Sequence, residues 1–421
     1  MLLEYKQSIV VSLNDDVTEI IQLAKSFEYD VVNTFIQHRN NPNVKTYIGS
    51  GKLDEIKSYL EDNEEIGLII FDGELRPSQW FLLEKELGVT VYDRIKLILM
   101  IFKERAKIKE AQLQVQLAEL EYEKPHVKEL IHRTRSGEHP GLMAGGEYQV
   151  DDYFEMIKKQ IKLIKNKLLK IEQDRAVLRK HRKRSGFYLV SLAGYTNAGK
   201  SSLLNVLTNE DVTVKNQLFS TLSTTTRKIN DDKLPILLTD TVGFIQNLPT
   251  WIIKAFHSTL EEIKEADLVL LVIDVSDPFP IVLKKINASL KELGELNFSS
   301  SMLLILNKID LLRKENISDI KNQICELVHF SKDDIIEVSL KEKIGIYGLI
   351  NGIMTHLPDM LHMELELPQS SEIQSFISFL YDKTYVLSTS YEKNIYVELK
   401  CNANLLSKIK SFCIEFNGTI L

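Results

Sequence analysis

The stretch Gly194-Tyr195-Thr196-Asn197-Ala198-Gly199-Lys200-Ser201 decides the fold class of this chain. It matches the pattern G-x-x-x-x-G-K-[ST] and lies between a predicted strand, Tyr188–Leu192, and a predicted helix, Ser202–Leu207. The two glycines let the backbone wrap closely around phosphate oxygens, whose charge is met by amide groups and the helix N-terminus. In such a P-loop Lys200 reaches the β- and γ-phosphates, and the Ser201 hydroxyl ligates Mg²⁺. The stretch therefore predicts a nucleotide site in an α/β domain.

A second motif, Asn307-Lys308-Ile309-Asp310, indicates which base is bound. It follows the predicted strand Met302–Leu306, where Asp310 would accept hydrogen bonds from N1–H and the exocyclic amine of guanine. Adenine lacks this pair of donors. Asn307 and the stem of Lys308 are expected to brace the base and the P-loop. Ser339-Leu340-Lys341 follows the last predicted strand, Ile335–Val338, and is expected to contact guanine through a main-chain amide. Together these motifs predict GTP as the nucleotide.

Two further segments are predicted to sense the γ-phosphate. Asp240-Thr241-Val242-Gly243 follows the predicted strand Leu234–Leu238, which suits Asp240 to the outer shell of Mg²⁺ and the Gly243 amide to the γ-phosphate. The other segment is the Thr-rich loop Phe219-Ser220-Thr221-Leu222-Ser223-Thr224-Thr225-Thr226-Arg227. Thr221 is the predicted Mg²⁺ ligand in this loop, with Thr225 as the alternative. A polar loop without a switching role is the competing interpretation.

The chemistry at the γ-phosphate is assigned to Lys200, Gly243 and Asn197. Many GTPases place a Gln directly after the D-x-x-G motif to orient the attacking water, whereas this chain has Phe244. An apolar ring cannot orient water, so slow intrinsic hydrolysis is predicted unless a partner completes the site. The side-chain oxygen of Asn197 could hold a monovalent cation such as K⁺ beside the phosphates.

Bulk composition narrows the class of protein. The chain has 421 residues, 44% of them hydrophobic, with a net charge of −7 and three scattered cysteines. Its length predicts several domains, and its average charge argues against general affinity for nucleic acid. No apolar run approaches the roughly eighteen residues of a membrane span, and a secretory signal pattern is absent. The cysteines suit a reducing compartment, so a cytoplasmic protein is expected. We expect the chain to act as a monomer.

Strand and helix signals predict four domains. A small α/β domain over 1–94 has strands at 8–13, 67–71 and 89–92 and helices at 17–26 and 77–87. A helical hairpin follows over 95–184, and a GTP-binding domain with a mostly parallel sheet over 185–360, with another strand at 268–273. A small α+β domain over 361–421 has a hairpin signal at 385–389 and 395–399.

The helical region carries two apolar stripes and one basic face. The first stripe is Leu97, Ile101, Ile108, Ala111, Val115, Ala118 and Tyr122, with Glu104 as its polar member. The second is Ile157, Ile161, Ile164, Leu168, Ile171 and Leu178, interrupted by Arg175. These stripes predict an antiparallel pair of helices. Between Met156 and Arg184 twelve Lys or Arg residues oppose only Glu172 and Asp174. A helix with so much positive and so little negative charge favours binding to a polyanionic partner over a face that is only exposed to solvent.

Taken together, the motifs resemble the HflX family of ribosome-associated GTPases, in the Obg–HflX group of the TRAFAC class. In the nucleotide domain the similar segments are GYTNAGKS, FSTLSTTTR, DTVGFIQNLP, AFHSTLEEIKEADLVLLVIDVSDP and NKID. The N-terminal half agrees through Tyr47–Lys52, Phe71–Leu75, Pro77–Gln79, Asp93-Arg94, Ile101-Phe102, Arg105-Ala106, Gln114–Ala118 and Leu120–Tyr122. The resemblance covers roughly residues 1 to 360. The linker, Ala144–Phe154, departs from the family pattern G-P-G-E-x-x-x-E-x-D-R-R and indicates a divergent branch with an archaeal-type linker.

The resemblance implies a protein that binds the large (50S) ribosomal subunit and its rRNA in the GTP form and acts in splitting, rescue or biogenesis. Two alternatives remain from the residues. The first is an RNA-binding assembly scaffold in which GTP is structural, compatible with Phe244. The second is a tRNA-modifying GTPase, which is disfavoured because Cys413 is followed by Ile-Glu-Phe and not by a C-x-G-K tail. ATP-driven RNA unwinding is disfavoured because the chain has no second P-loop.

Overall fold

The computed structural model describes residues 7–135, 146–208, 225–229, 235–241, 243–245, 249, 251–252, 262–295, 300–358, 361–370 and 373–421. The chain forms two compact units. The first consists chiefly of residues up to Lys170, and the second chiefly of residues from Ile171 onward.

The first unit is built on a parallel sheet of four strands in the order β2-β1-β3-β4. The strands are β1 (Gln7–Ser12), β2 (Asp30–Ile36), β3 (Ile66–Phe71) and β4 (Thr90–Asp93), and the helices between them are α1 (Thr18–Ser26), α2 (Ser50–Glu61) and α3 (Pro77–Leu87). Helix α3 begins with Pro77 in its first turn and ends at Gly88, whose φ of 69° lies in the left-handed region. The predicted α/β class is confirmed, and β2 and α2 are additions that the sequence patterns did not reveal.

The helical region departs from prediction in its first stripe. Two helices, α4 (Arg94–Arg105) and α5 (Lys109–Arg135), replace one continuous segment. Ala106 has extended geometry with ψ of 93°, which ends α4. Glu104 and Ile108 are exposed on either side of this break, so they do not belong to the buried stripe. The polar interruption at Glu104 therefore marks the place where the apolar face is not continuous.

The second predicted stripe lies on α6 (Gly146–Arg184). Ile157, Ile161 and Ile164 are buried, but Leu178 is 69% exposed, so its assignment to the packed face was wrong. Contacts between α5 and α6 pair later residues of one with earlier residues of the other: Lys165 Nζ lies 2.7 Å from a carboxylate oxygen of Glu121, and the Tyr153 hydroxyl lies 3.5 Å from Glu123. This arrangement is that of an antiparallel hairpin.

A buried carboxylate joins α5 to the sheet of the first unit. Asp93 caps α4 by accepting from the amide of Lys96 at 2.7 Å, and it also accepts from the amide of Leu75 at 3.1 Å. The hydroxyl of Tyr122, in the middle of α5, donates to the same carboxylate at 3.0 Å. Burial raises the pKa of Asp93 to about 6, while these hydrogen bonds oppose the shift.

The second unit contains a six-stranded sheet in the order β10-β9-β8-β5-β7-β6. Its strands are β5 (Tyr188–Gly194), β6 (Thr225–Lys228), β7 (Ile236–Asp240), β8 (Leu268–Asp274), β9 (Ser301–Asn307) and β10 (Ile335–Val338). All pairings are parallel except β6 with β7. The described helices of this part are α7 (Lys200–Thr208), α8 (Phe279–Glu295), α9 (Lys314–Val328) and α10 (Ile346–His356). The predicted mostly parallel sheet is confirmed.

The last sixty residues form an antiparallel sheet in the order β12-β13-β11-β14. The elements are β11 (Leu361–Pro368), α11 (Ile373–Lys383), β12 (Tyr385–Tyr391), β13 (Asn394–Cys401), α12 (Leu406–Glu415) and β14 (Thr419–Ile420). This β-α-β-β-α-β order is ferredoxin-like. One face of the sheet, with Leu365 and Val397, shares a hydrophobic core with Phe376 of α11, and the other face carries the exposed, polar alternate positions. The predicted hairpin corresponds to β12 and β13.

Candidate nucleotide-binding site

The P-loop follows β5 with a backbone that requires glycine at two positions. Gly194 has a φ of 135°, and a Cβ atom there would lie 2.2 Å from the carbonyl oxygen of Val272. Gly199 has a φ of 107°, and its Cβ would lie 2.2 Å from Nδ2 of Asn307. Asn197 has a φ of 63°, a left-handed conformation that Asn tolerates better than most residues. The two glycines therefore let the P-loop backbone pack directly against the ends of β8 and β9.

The P-loop lysine is buried and held by the loop itself. Lys200 is 7% exposed, and its Nζ donates to the carbonyl oxygens of Gly194 at 3.0 Å and Tyr195 at 2.8 Å. Burial lowers the pKa of Lys200 to about 8, and the charge of Asp240 opposes the shift. An anionic phosphate beside this ammonium would favour its charged form.

Hard oxygen atoms meet beside the lysine. The hydroxyl of Ser201 donates to Oδ2 of Asp240 at 3.0 Å, and Oδ1 of the same carboxylate accepts from the amide of Thr241 at 2.9 Å. Asp240 is 1% exposed at the end of β7. Hydroxyl and carboxylate oxygens are the ligands that Mg²⁺ prefers, so the residues present fit this ion.

The residue after the D-x-x-G motif is tied to the P-loop by its backbone. The amide of Phe244 donates to the carbonyl of Gly194 at 3.0 Å, and its carbonyl accepts from the amide of Thr196 at 2.9 Å. The Phe244 side chain is 7% exposed. Gly243 lies so close to the loop that a Cβ would be 2.9 Å from Lys200 Nζ. This segment therefore contacts the P-loop through main-chain atoms, with its ring packed away from water.

The guanine motif is joined to the P-loop by one side chain. Nδ2 of Asn307 donates to the carbonyl of Ala198 at 2.8 Å, and Oδ1 accepts from the amide of Leu340 at 3.4 Å. Asn307 is 3% exposed at the end of β9. One amide group thus connects three segments that are far apart in sequence.

The acid that would recognise guanine is oriented by the loop after β10. Oδ1 of Asp310 accepts a hydrogen bond from the hydroxyl of Ser339 at 2.6 Å. In the same loop Leu340 is 7% exposed and packs in the core of this sheet, whereas Lys341 is exposed. The apolar residue in the middle of Ser339–Lys341 therefore anchors the loop and leaves its backbone to contact a base.

Some of the predicted site lies outside the described residues. These positions are Phe219, Ser220, Thr221, Leu222, Ser223, Thr224 and Val242. Of the two threonines predicted as alternative Mg²⁺ ligands, only Thr225 has a described backbone, which pairs in β6 directly opposite Asp240.

Two supporting contacts were missed by the sequence analysis. Lys308, with a φ of 67°, forms an ion pair with Asp274 at the end of β8. The ammonium of Lys285 lies 5.5 Å from the ring centre of Tyr195 and 2.6 Å from a carboxylate oxygen of Asp277. Asp274 and Asp277 both occur in the stretch after β8, but nothing in their spacing indicated these partners.

Comparisons with known families agree along the chain. A family described as GTP-binding GTPase N-terminal matches residues 14–103, and one described as GTP-binding GTPase Middle Region matches residues 105–182. A third, described as 50S ribosome-binding GTPase, matches residues 189–308. None of the helices in the described part of the chain has the length and hydropathy needed to cross a bilayer.

Individual relatives cover nearly the whole sequence. The chain is 39% identical to a GTPase HflX of Thermococcus kodakarensis over 94% of this chain and 91% of that protein. It is also 39% identical to a GTPase HflX of Methanocaldococcus jannaschii over 90% of this chain and 91% of the relative. Among solved structures, that of an SsGBP–GDP complex is 29% identical, covers 83% of this chain and 97% of its own, and has a TM-score of 0.51. The chain therefore belongs to the HflX family of GTPases and is a GTP-binding, GTP-hydrolysing enzyme.

Proposed function

We propose that this GTPase binds the large ribosomal subunit in its GTP form and releases it after hydrolysis, in subunit splitting, rescue or biogenesis. The observation that carries the proposal is a row of exposed lysines on α6, in the same chain as a guanine-nucleotide site. The match of residues 189–308 to a family of 50S ribosome-binding GTPases supports this choice of partner. In this proposal the region 95–184 contacts rRNA and the domain 185–360 binds the nucleotide. The domains 1–94 and 361–421 have accessory roles.

The lysines of α6 differ in whether the protein already neutralises them. Lys158 and Lys165 form ion pairs with Glu155 and Glu121, each at 2.7 Å. Four further lysines are exposed and have no ion pair among the described residues: Lys159, Lys162, Lys167 and Lys170. Each of these can neutralise a phosphate and release a counterion without first breaking an internal pair.

The nucleotide site is assigned as follows. Phosphates bind Gly194–Ser201 and the amide of Gly243, guanine binds Asn307–Asp310 and Ser339–Lys341, and the remaining contacts come from Phe219–Ser223 and Asp240–Gly243. Mg²⁺ would bind Ser201 and Thr221, because Ser201 already lies 3.0 Å from the carboxylate of Asp240. Lys200 and Gly243 would stabilise charge on the γ-phosphate, and Asn197 would hold K⁺ nearby. When bound, Mg²⁺ would neutralise negative charge on the phosphates.

Hydrolysis by the isolated protein is expected to be slow. The Phe244 ring is buried and its backbone is paired with the P-loop, so this residue offers no polar atom to an attacking water. A group from the ribosome, or a rearrangement on binding it, would complete the site.

The proposal is tested by co-sedimentation of the protein with large subunits. Pelleting is expected to increase with a non-hydrolysable GTP analogue relative to GDP. Replacing Lys159, Lys162 and Lys167 together by Gln should weaken binding and flatten its dependence on salt, lowering the log–log slope by about 3, or about 1 per phosphate contact. Nucleotide affinity should stay unchanged. Equal pelleting with GTP analogue and GDP would contradict the coupling.

A matched control replaces the same number of exposed lysines elsewhere: Lys314, Lys332 and Lys410. This control should pellet as the wild type does, and the same loss in both variants would mean that only total charge matters. GTP turnover with and without large subunits separates the switch from a scaffold with structural GTP. Stimulation supports the switch, and its absence supports the scaffold.

A further inference from the structure

Three potential metal ligands lie on the exposed face of the C-terminal sheet, remote in sequence from every GTPase motif. His362 and Glu364 occupy alternate positions on β11, so both side chains lie on the same face. Glu398 on β13 lies directly opposite Glu364 in the antiparallel register. One ligand atom from each of the three residues falls within 4.8 Å of the others.

Glu364 and Glu398 place two like charges directly opposite each other, an arrangement that is destabilising in a sheet. Nε2 of His362 lies 2.9 Å from Oε1 of Glu398, and the hydroxyl of Ser388 donates to Oε2 at 3.1 Å. These hydrogen bonds lower the pKa of Glu398, with a smaller contribution from the charge of Lys400, which lies opposite His362. For the Glu364 carboxylate no partner is found among the described residues.

The two strands that carry this cluster are anchored in the hydrophobic core of the C-terminal sheet. The buried alternate residues Leu365, Val397 and Leu399 fix both strands against the helices beneath. Ser388, on the neighbouring strand β12, orients the Glu398 carboxylate from its far side. Outer hydrogen bonds of this kind orient metal-binding carboxylates in proteins.

We propose that His362, Glu364 and Glu398 bind a divalent transition-metal ion such as Zn²⁺ or Co²⁺. One imidazole nitrogen and two carboxylate oxygens favour such ions over Mg²⁺ and Ca²⁺, which take oxygen ligands. Three protein ligands on an exposed face leave the remaining positions to water. The thiols of Cys401 and Cys413 lie in the hydrophobic core, 0% and 2% exposed, and not on the exposed face that carries the cluster.

The test is a Co²⁺ titration of the full chain, followed by its visible absorption, with GDP and excess Mg²⁺ present to occupy the nucleotide site. One Co²⁺ is expected to bind with a ligand-field spectrum that lacks a thiolate charge-transfer band, and Zn²⁺ should displace it. His362→Ala and Glu364→Gln should each weaken Co²⁺ binding about tenfold or more, because losing even a hydrogen-bond partner of a metal ligand lowers metal affinity about 10–100-fold. His362 and Glu364 are exposed, so these variants are expected to fold.

Glu366→Gln is the matched control. Glu366 lies on the same face of β11, but its carboxylate already accepts from Asn394 at 2.7 Å and from Tyr396 at 2.8 Å. Its replacement should leave Co²⁺ affinity unchanged. Equal Co²⁺ affinity in wild type and His362→Ala, or displacement of Co²⁺ by Mg²⁺ as readily as by Zn²⁺, would overturn the proposal and leave an ordinary His–Glu hydrogen bond.

Discussion

Replacing Asn307 by Ala should uncouple recognition of the base from recognition of the phosphates. The Asn307 side chain makes two hydrogen bonds, one to the Ala198 carbonyl at 2.8 Å and one from the Leu340 amide at 3.4 Å. When the side chain is shortened to a methyl group, the Ala198 carbonyl and the Leu340 amide each lose this hydrogen bond. The P-loop and the loop after β10 would therefore lose the bridge that holds them in register.

The size of the effect follows from the two partners left behind. A buried polar group without a partner costs about 1–3 kcal/mol, so the two buried groups left here cost roughly 2–6 kcal/mol. A bound nucleotide must then order both loops itself. If about 2 kcal/mol of this cost falls on binding, the Kd for GDP rises about 30-fold, since about 1.4 kcal/mol corresponds to a factor of ten.

The assay is titration of a fluorescent guanine nucleotide, with circular dichroism to verify folding. Asn287→Ala is the matched control, because it is the same substitution at an exposed position of α8, away from the site. A folded Asn307→Ala variant that binds GDP within threefold of the wild type would refute the bridging role. So would an equal loss in Asn287→Ala.

Three other changes give distinct readouts. Asp310→Asn should weaken GTP binding about a hundredfold, because two charge-assisted hydrogen bonds of about 1.5 kcal/mol each are lost. The same variant should bind xanthine nucleotides, and competition between nucleotides measures the two affinities. Because the pKa of Lys200 is about 8, this side chain loses its positive charge between pH 7 and pH 9, and the affinity for GDP should fall about tenfold. The Lys200→Arg variant keeps its charge and should show no such fall, and calorimetry measures the affinity of both proteins. Because the pKa of Asp93 is about 6, above its unfolded value, its contribution to stability is greatest below about pH 4 and is lost as pH rises to about 6. Asp93→Asn should remove this dependence, which amounts to about 2 kcal/mol between pH 4.5 and 7 in denaturant unfolding.

The nucleotide domain was predictable because its signals are local. The P-loop glycines, the strand before them and the guanine motif all stand in short stretches whose residue types follow from backbone geometry and ligand chemistry. Gly194 illustrates this, since its φ of 135° and the nearby Val272 carbonyl admit no side chain. The mostly parallel sheet then follows from the alternation of strands and helices.

Other features depend on contacts that no short pattern encodes. The break between α4 and α5 was missed because a 4,3 spacing can continue in sequence while the chain turns, as it does at Ala106. Strand β2 was missed because its positions are mostly half-exposed, which blurs the apolar signal. The pairing of Lys308 with Asp274 joins the ends of neighbouring strands and becomes visible only once β8 and β9 are aligned.

The main-chain pairing of Phe244 has a consequence for how this enzyme could evolve. Since the backbone, not the ring, fixes this position against the P-loop, introducing glutamine there would place an amide in a packed setting that is 7% exposed. Phe244→Gln should therefore lower stability without speeding single-turnover hydrolysis by the isolated protein. On the proposed function, a single substitution at this position would therefore not replace the group that the ribosome supplies.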